Sequence, residues 1–258
     1  MGRWTASQWL TVAAGLACLG AASAAPMQIC ISDVSMPPFI YKDRDGTIQV
    51  LLKQAAIRAG LPVILLPMPI KRCLAELTAG KVAARIAGVN DLTRDTLRFP
   101  MNGKDFDAER ALGVAREVAL RLKGSELEWD GQHFSKLNHA VLMQPGFPGT
   151  ELLLKSLKIP IDSGGKTMAI NLDKLLAKRG EVVVGLESSA RVLMEQAPYA
   201  GKFEMLPIPV HTVTHYLAFS RVYYEAYSDD VERLWNAIVD TKRSPEFETA
   251  RQAVHSSR

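Results

Sequence analysis

The chain has 258 residues, 48% of them hydrophobic and 22% charged, with a formal net charge of +4. That composition supports a packed core and excludes an intrinsically disordered chain, and the length suits one large domain or two modest ones. So small a positive excess forms no concentrated basic face, which argues against nucleic acid as a partner.

Residues 1–24 read as a cleaved secretory leader. Arg3 supplies the positive start, Trp9 to Gly20 a short apolar run, and Ala22-Ser23-Ala24 a small-residue cleavage site. The run is shorter than the ~20 residues a membrane span needs. Removing the leader takes away Cys18 and leaves Cys30 and Cys73. In an oxidising compartment these either form one disulfide or stay as two buried thiols. A bridge needs their Cα atoms within about 7 Å, which spacing alone does not decide.

The mature chain opens with an apolar strand, Met27 to Ile31, followed by the loop Asp33 to Gly46. Pro37 and Pro38 stiffen that loop, Phe39 and Tyr41 project from it, and Asp43 to Gly46 close it with turn residues. A helix is predicted over Ile48–Ala59 with Gly60 as its stop, then a buried strand over Leu61–Met68. Pro69 opens a helix over Ile70–Ala79, and Val82–Val89 forms a third strand. This alternation implies parallel pairing with right-handed crossovers. Asn90 to Arg94 then lie at the carboxyl end of a strand, where open α/β sheets bind ligands.

The pattern changes after Phe99. Ala111–Leu122 is a long run suited to a strand crossing between lobes, and residues 123–138 are polar and irregular. A second cycle starts with a strand at His139–Met143, the Gly/Pro loop Gln144–Thr150 and a helix over Glu151–Leu157. A short strand at Ile159–Ile161, a helix over Ala169–Lys178 and a strand at Val182–Leu186 follow. Ser188 and Ser189 are predicted to cap a helix reaching about Ala197. Met205–Pro209 reads as extended, His215–Ser220 as a strand, and Asp229–Thr241 and Pro245–Val254 as helices. Two α/β halves are expected, joined by a pair of chain crossings rather than fused into a single sheet, with a cleft between them.

Taken together, Asp33…Pro37-Pro38-Phe39-Ile40-Tyr41…Asp45-Gly46, Pro69-Ile70-Lys71-Arg72, Leu77…Gly80-Lys81-Val82, Gly88-Val89-Asn90 with Thr93, and His215 to Arg221 resemble the type II periplasmic solute-binding proteins, family 3 in particular. The resemblance covers nearly all of the mature chain. It implies a two-lobed α/β fold: 25–113 with 212–258 as the first lobe, 114–211 as the second, joined by a two-crossover hinge. It also implies a periplasmic monomer that binds a small molecule and passes it to the membrane permease of an ABC transporter, with no cofactor. The sequence departs from the amino-acid binders of that family. Thr96 stands where their carboxylate-gripping arginine lies, flanked by Arg94 and Arg98, and Ser188 stands where the acid for the ligand's amino group belongs, beside Glu187. A shifted clamp or a different ligand is expected.

The candidate ligand-binding residues are therefore Phe39, Tyr41, Arg72, Asn90, Arg94 and Arg98 from the first lobe, with Gln144, Gly146 and Glu187 from the second. Arg94 or Arg98 could pair bidentately with a carboxylate, or lie in a solvated surface pair. Gly146 to Thr150 precede a helix whose free N–H groups could receive an anion, or form an ordinary capped loop. Enzyme signatures are weak. Ser163-Gly164-Gly165-Lys166-Thr167 fits neither a helical S-x-x-K nor a phosphate loop. His211 and His215 lie on an extended segment, where a spacing of four does not make a zinc pair. Glu187, His139 and Cys73 form no recognisable nucleophile–base set. A dehydratase of small cyclic acids on the same scaffold, and a ligand sensor acting through a separate membrane partner, are the rival readings.

Overall fold

The protein is described from a computed structural model covering residues 25–256; the leader expected at 1–24 lies outside the described residues. Strand β1 (Met27–Ser32), helix α1 (Thr47–Ala59), β2 (Val63–Met68), α2 (Ile70–Thr78) and β3 (Ala84–Gly88) form the first cycle. A short α3 (Asp91–Arg94), β4 (Leu97–Arg98) and the hairpin of β5 (Met101–Asn102) and β6 (Asp105–Phe106) lead into the long β7 (Gly113–Leu122). The second cycle holds β8 (Val141–Met143), α4 (Pro148–Ser156), β9 (Ile161–Asp162), α5 (Met168–Leu176), β10 (Val183–Leu186), α6 (Glu187–Met194) and β11 (Phe203–Met205). The second long strand, β12 (His211–Ser220), returns the chain to α7 (Arg221–Lys242) and α8 (Pro245–Ser256).

In the first half, β1 lies between β2 and β3 and pairs with both in parallel, as the strand–helix alternation implied. Strand β12 then adds antiparallel to β3. In the second half β8 runs parallel to β9 and β10, while β7 is antiparallel to β10. The two halves are not separate sheets, which corrects the sequence-based expectation. His211–His215 of β12 pair antiparallel with Gly113–Glu117 of β7, so the ladder passes from one half to the other. The cause is that both crossings are themselves strands, and each satisfies its backbone groups on the other. Beyond that shared stretch they diverge, β12 toward β3 and β4, β7 toward β10 and β11. The division into lobes lies in the cores. One pair of apolar clusters flanks the first half-sheet, built around Leu51, Phe219 and Trp235 and around Cys30, Leu77 and Tyr216. Another flanks the second, around Met143, Leu154 and Phe147 and around Leu120, Leu172 and Val183.

Local chemistry explains most element ends. Gly60, at φ 66°, closes α1 in the left-handed conformation that glycine adopts without strain. At the other end of α1 Gln49 reaches back to accept from the Gly46 N–H at 2.8 Å. A Cβ on Gly46 would sit 2.3 Å from the Phe39 carbonyl oxygen, so only glycine lets the loop fold onto the helix start. Among the differences from expectation, those at the starts of α7 and α6 have a visible cause. Helix α7 begins at Arg221 rather than near 229, because Ser220 caps it through the Tyr223 N–H at 3.1 Å; Tyr227, with φ −137°, interrupts the helical period that the sequence pattern relies on. Helix α6 is not capped by Ser188 or Ser189. Both hydroxyls donate instead across the cleft to the carbonyl oxygen of Pro37, at 3.3 and 2.8 Å.

Candidate functional site

A cavity of about 450 Å³ lies between the lobes, within the range of small-molecule sites. Its first-lobe wall is made by the loop after β1, including Asp33, Met36 and Phe39, by Met68 to Ile70, and by β3 with Asn90 and Thr93. Gln144 to Gly149, Lys166 and Leu186 form the second-lobe wall. The hinge strands contribute Gly113–Ala115 and Glu117 from β7, and His211, Val213 and His215 from β12. Met36 and Phe39 pack against the second-lobe core, so the stiff proline loop bridges the cleft, held there by the serine contacts to Pro37.

Each wall has a local cause. The loop after β3 is tied to itself: Thr93 Oγ1 donates to the Gly88 carbonyl at 2.8 Å and accepts from the Asn90 N–H, while Asn90 Oδ1 accepts from the Thr93 N–H. The disulfide between Cys30 on β1 and Cys73 on α2, with Cα atoms 5.9 Å apart, also lines the cavity. At the hinge, Glu117 is 2% exposed and receives the Thr150 hydroxyl from the first turn of α4. That hydroxyl has one proton, so its 3.1 Å contact with His211 Nδ1 is one in which the ring N–H donates to it. The start of α4, read from the sequence either as a receiver for an external anion or as an ordinary capped loop, therefore has a carboxylate of the chain itself at its first turn. Replacing Thr150 with valine leaves that buried carboxylate without its hydroxyl donor. The expected cost is about 1–3 kcal/mol, measured by denaturant unfolding of the variant against the wild type.

Two further groups give the cavity its electrostatics. Arg85 on β3 is 8% exposed, and burial draws its guanidinium down to about 10, so it is cationic at neutral pH. His215 lies on β12 opposite Gly88 of β3 and Gly113 of β7. Burial pushes it down to about 4, against the pull of Glu117 and with the repulsion of Arg85 and His211, so it is neutral at pH 7.

Of the residues singled out in the sequence, Phe39, Asn90, Gln144 and Gly146 line this cavity. Tyr41, Arg72, Arg94, Arg98 and Glu187 do not, each for a visible reason. Gln49 holds the backbone of Tyr41 on both sides, and Arg44 covers its ring at 4.1 Å. Arg72 is an exposed side chain of α2, 3.6 Å from Glu76, because Cys73 and Leu77 take the buried face. Arg94 and Arg98 are exposed and lie over the rings of Phe106 and Tyr224, at 5.9 and 5.0 Å from their centroids. Glu187 is neutralised by Arg116 at 3.1 Å and Arg191 at 2.6 Å. Arg85 and Glu117 line the cavity without having been singled out in the sequence, and His211 and His215, which also line it, were considered only for zinc. The signal for Arg85 was available: it is the only charge in the apolar run Val82–Val89. Among the described residues no group of three or more His, Cys, Asp or Glu is placed to hold a metal ion.

No family model matches the chain, and no curated protein does. Solved structures do. The ligand-binding core of GluR0 from Nostoc punctiforme, in complex with L-glutamate, is 14% identical over 89% of this chain and 97% of that one, with a TM-score of 0.68. The arginine-, lysine-, histidine-binding protein ArtJ from Geobacillus stearothermophilus is 16% identical over 91% and 96%, also with a TM-score of 0.68. The VFT2 domain of Bordetella pertussis BvgS is 16% identical over 88% and 92%, with a TM-score of 0.63. The chain has the two-lobed α/β fold of the type II periplasmic solute-binding proteins.

Proposed function

We propose that the protein captures a small solute between its lobes in the periplasm and presents it, as a monomer, to the permease of an ABC transporter. The observation that carries this reading is the interlobe cavity of about 450 Å³, walled by both lobes and floored by the two hinge strands. A ligand touching all three couples binding to lobe closure. The likeness of fold to GluR0, ArtJ and BvgS VFT2 supports a binding role.

A thermal-shift screen over amino acids, carboxylates, polyamines and cyclic acids tests the capture. A solute at 100 times its Kd adds about 2.7 kcal/mol of stability. Mass spectrometry of the bound solute should return it unchanged; recovery of a dehydrated product would favour the enzyme reading instead. Cells lacking the protein should lose uptake of the identified solute. A screen in which no solute raises the melting temperature overturns the proposal.

A further inference from the structure

Arg85 has a cationic side chain that the fold buries without using its charge. It is 8% exposed, lines the interlobe cavity, and makes one hydrogen bond, from Nε to the Ile86 carbonyl oxygen at 3.3 Å. Among the described residues no carboxylate lies within 4.0 Å of it. Holding a largely buried guanidinium at the wall of this cavity with no counter-charge destabilises the free protein, and a residue needed only to fill this space would be apolar. The other ionisable groups of the cavity do not answer it. Glu117 is engaged by Thr150 and lies 3.9 Å from His211, Asp33 is half-buried in the loop after β1, and Lys166 is exposed. The two arginines that the sequence offered for a carboxylate, Arg94 and Arg98, lie over aromatic rings outside the cavity. Much of the remaining wall is hydrophobic, with Val34, Met36, Phe39, Ile70, Phe147 and Val213.

We propose that Arg85 is the anchor for the anionic end of the captured solute, and that the solute is a carboxylate with an apolar body, branched or aromatic. This rests on the capture reading above. A guanidinium presents a planar fork that meets a carboxylate with two parallel hydrogen bonds, which a lysine does not reproduce. The apolar wall excludes water from that pair and strengthens it, and it contributes affinity in proportion to the hydrocarbon it covers.

The test is calorimetric titration of the full secreted chain, disulfide intact, and of Arg85→Met and Arg85→Lys. The probes are leucine, phenylalanine, 4-methyl-2-oxopentanoate and phenylacetate. Leucinamide and 2-phenylethanol serve as carboxylate-free partners, and arginine and putrescine as cationic competitors. At least one of the four carboxylates should bind the wild type, and its carboxylate-free partner should bind roughly 100-fold more weakly. Arg85→Met should lose a similar factor, and Arg85→Lys roughly 10-fold. Without ligand, Arg85→Met should melt roughly 2–4 °C above the wild type, the direction opposite to that of a structural arginine. Binding of the two amino acids alone, or of the two acids lacking an amino group as well, supports the anchor equally and separates its two sources of carboxylate. Binding of Arg85→Met within threefold of wild type, or its melting below wild type, overturns the anchor. Binding only of arginine, putrescine or the carboxylate-free partners, or of none of the four carboxylates, overturns the solute class. In those cases the capture reading stands if another solute of the thermal screen binds.

Discussion

Replacing Cys30 and Cys73 together with alanine should lower the stability of the protein by about 4 kcal/mol. The bridge joins positions 43 residues apart, tying β1 to α2 across β2 and the whole of α1. In the chain-entropy account it acts by restricting the unfolded ensemble, and the restriction grows with the length of the closed loop. In a protein of this size that corresponds to a fall of roughly 8–16 °C in melting temperature. Cys30 and Cys73 also line the cavity, so on the proposed capture reading the double variant should bind its solute less tightly even where it remains folded. Thermal melting with and without solute measures both effects. A double variant that melts within 2–3 °C of the wild type would show that the bridge contributes little to holding the first lobe together.

Stability should fall by about 3 kcal/mol between pH 7 and pH 4 on account of His215 alone. The unfolded chain takes up this proton near the ordinary histidine value of 6.5, the folded chain only near 4, because burial among β3, β7 and β12 excludes the charged ring. The folded value is the lower one, so the stability is fully present above about pH 6.5. It declines as the pH falls toward 4 and stops declining below that. Glu117 limits the shift by favouring the imidazolium, whereas Arg85 and His211 enlarge it. A His215→Gln variant should show a correspondingly shallower loss over the same window. Denaturant unfolding at half-unit pH steps compares the two curves; parallel curves would remove His215 from the explanation. An anion bound at Arg85 would screen one of the two repulsions, so saturating ligand should shift the midpoint of the wild-type curve upward.

Much of the fold was legible in the residues. The first βαβαβ cycle was predicted because its apolar runs are short and its stops are unambiguous: Gly60 and Gly80 end helices through left-handed turns, at φ 66° and 68°. The start of α7 was not legible, since one serine cap and one irregular tyrosine outweigh a periodicity that resumes only near Asp229. Nor was the continuous ladder, because pairing between β7 and β12 joins residues about a hundred positions apart, and nothing local specifies the partner of a long strand. Site residues followed the same division. Phe39 and Asn90 lie on loops whose chemistry is written in adjacent residues. Arg94, Arg98 and Glu187 were plausible by type, yet tertiary neighbours gave each of them another partner.

By itself, then, the amino-acid sequence determined the order of the main strands and helices of the two cycles, the loops at their carboxyl ends and the doubled α/β plan, because turn residues and apolar period act over a few positions. Only the tertiary structure decided which charges face the cleft. Arg85 and Glu117 sit in strands whose patterns read as core, and their surroundings are set by β12 and α4, which arrive from distant parts of the chain. Whether a buried ionisable side chain is neutralised or left open to a ligand depends on which groups come within a few ångströms of it, and contact at that range is a property of the folded chain.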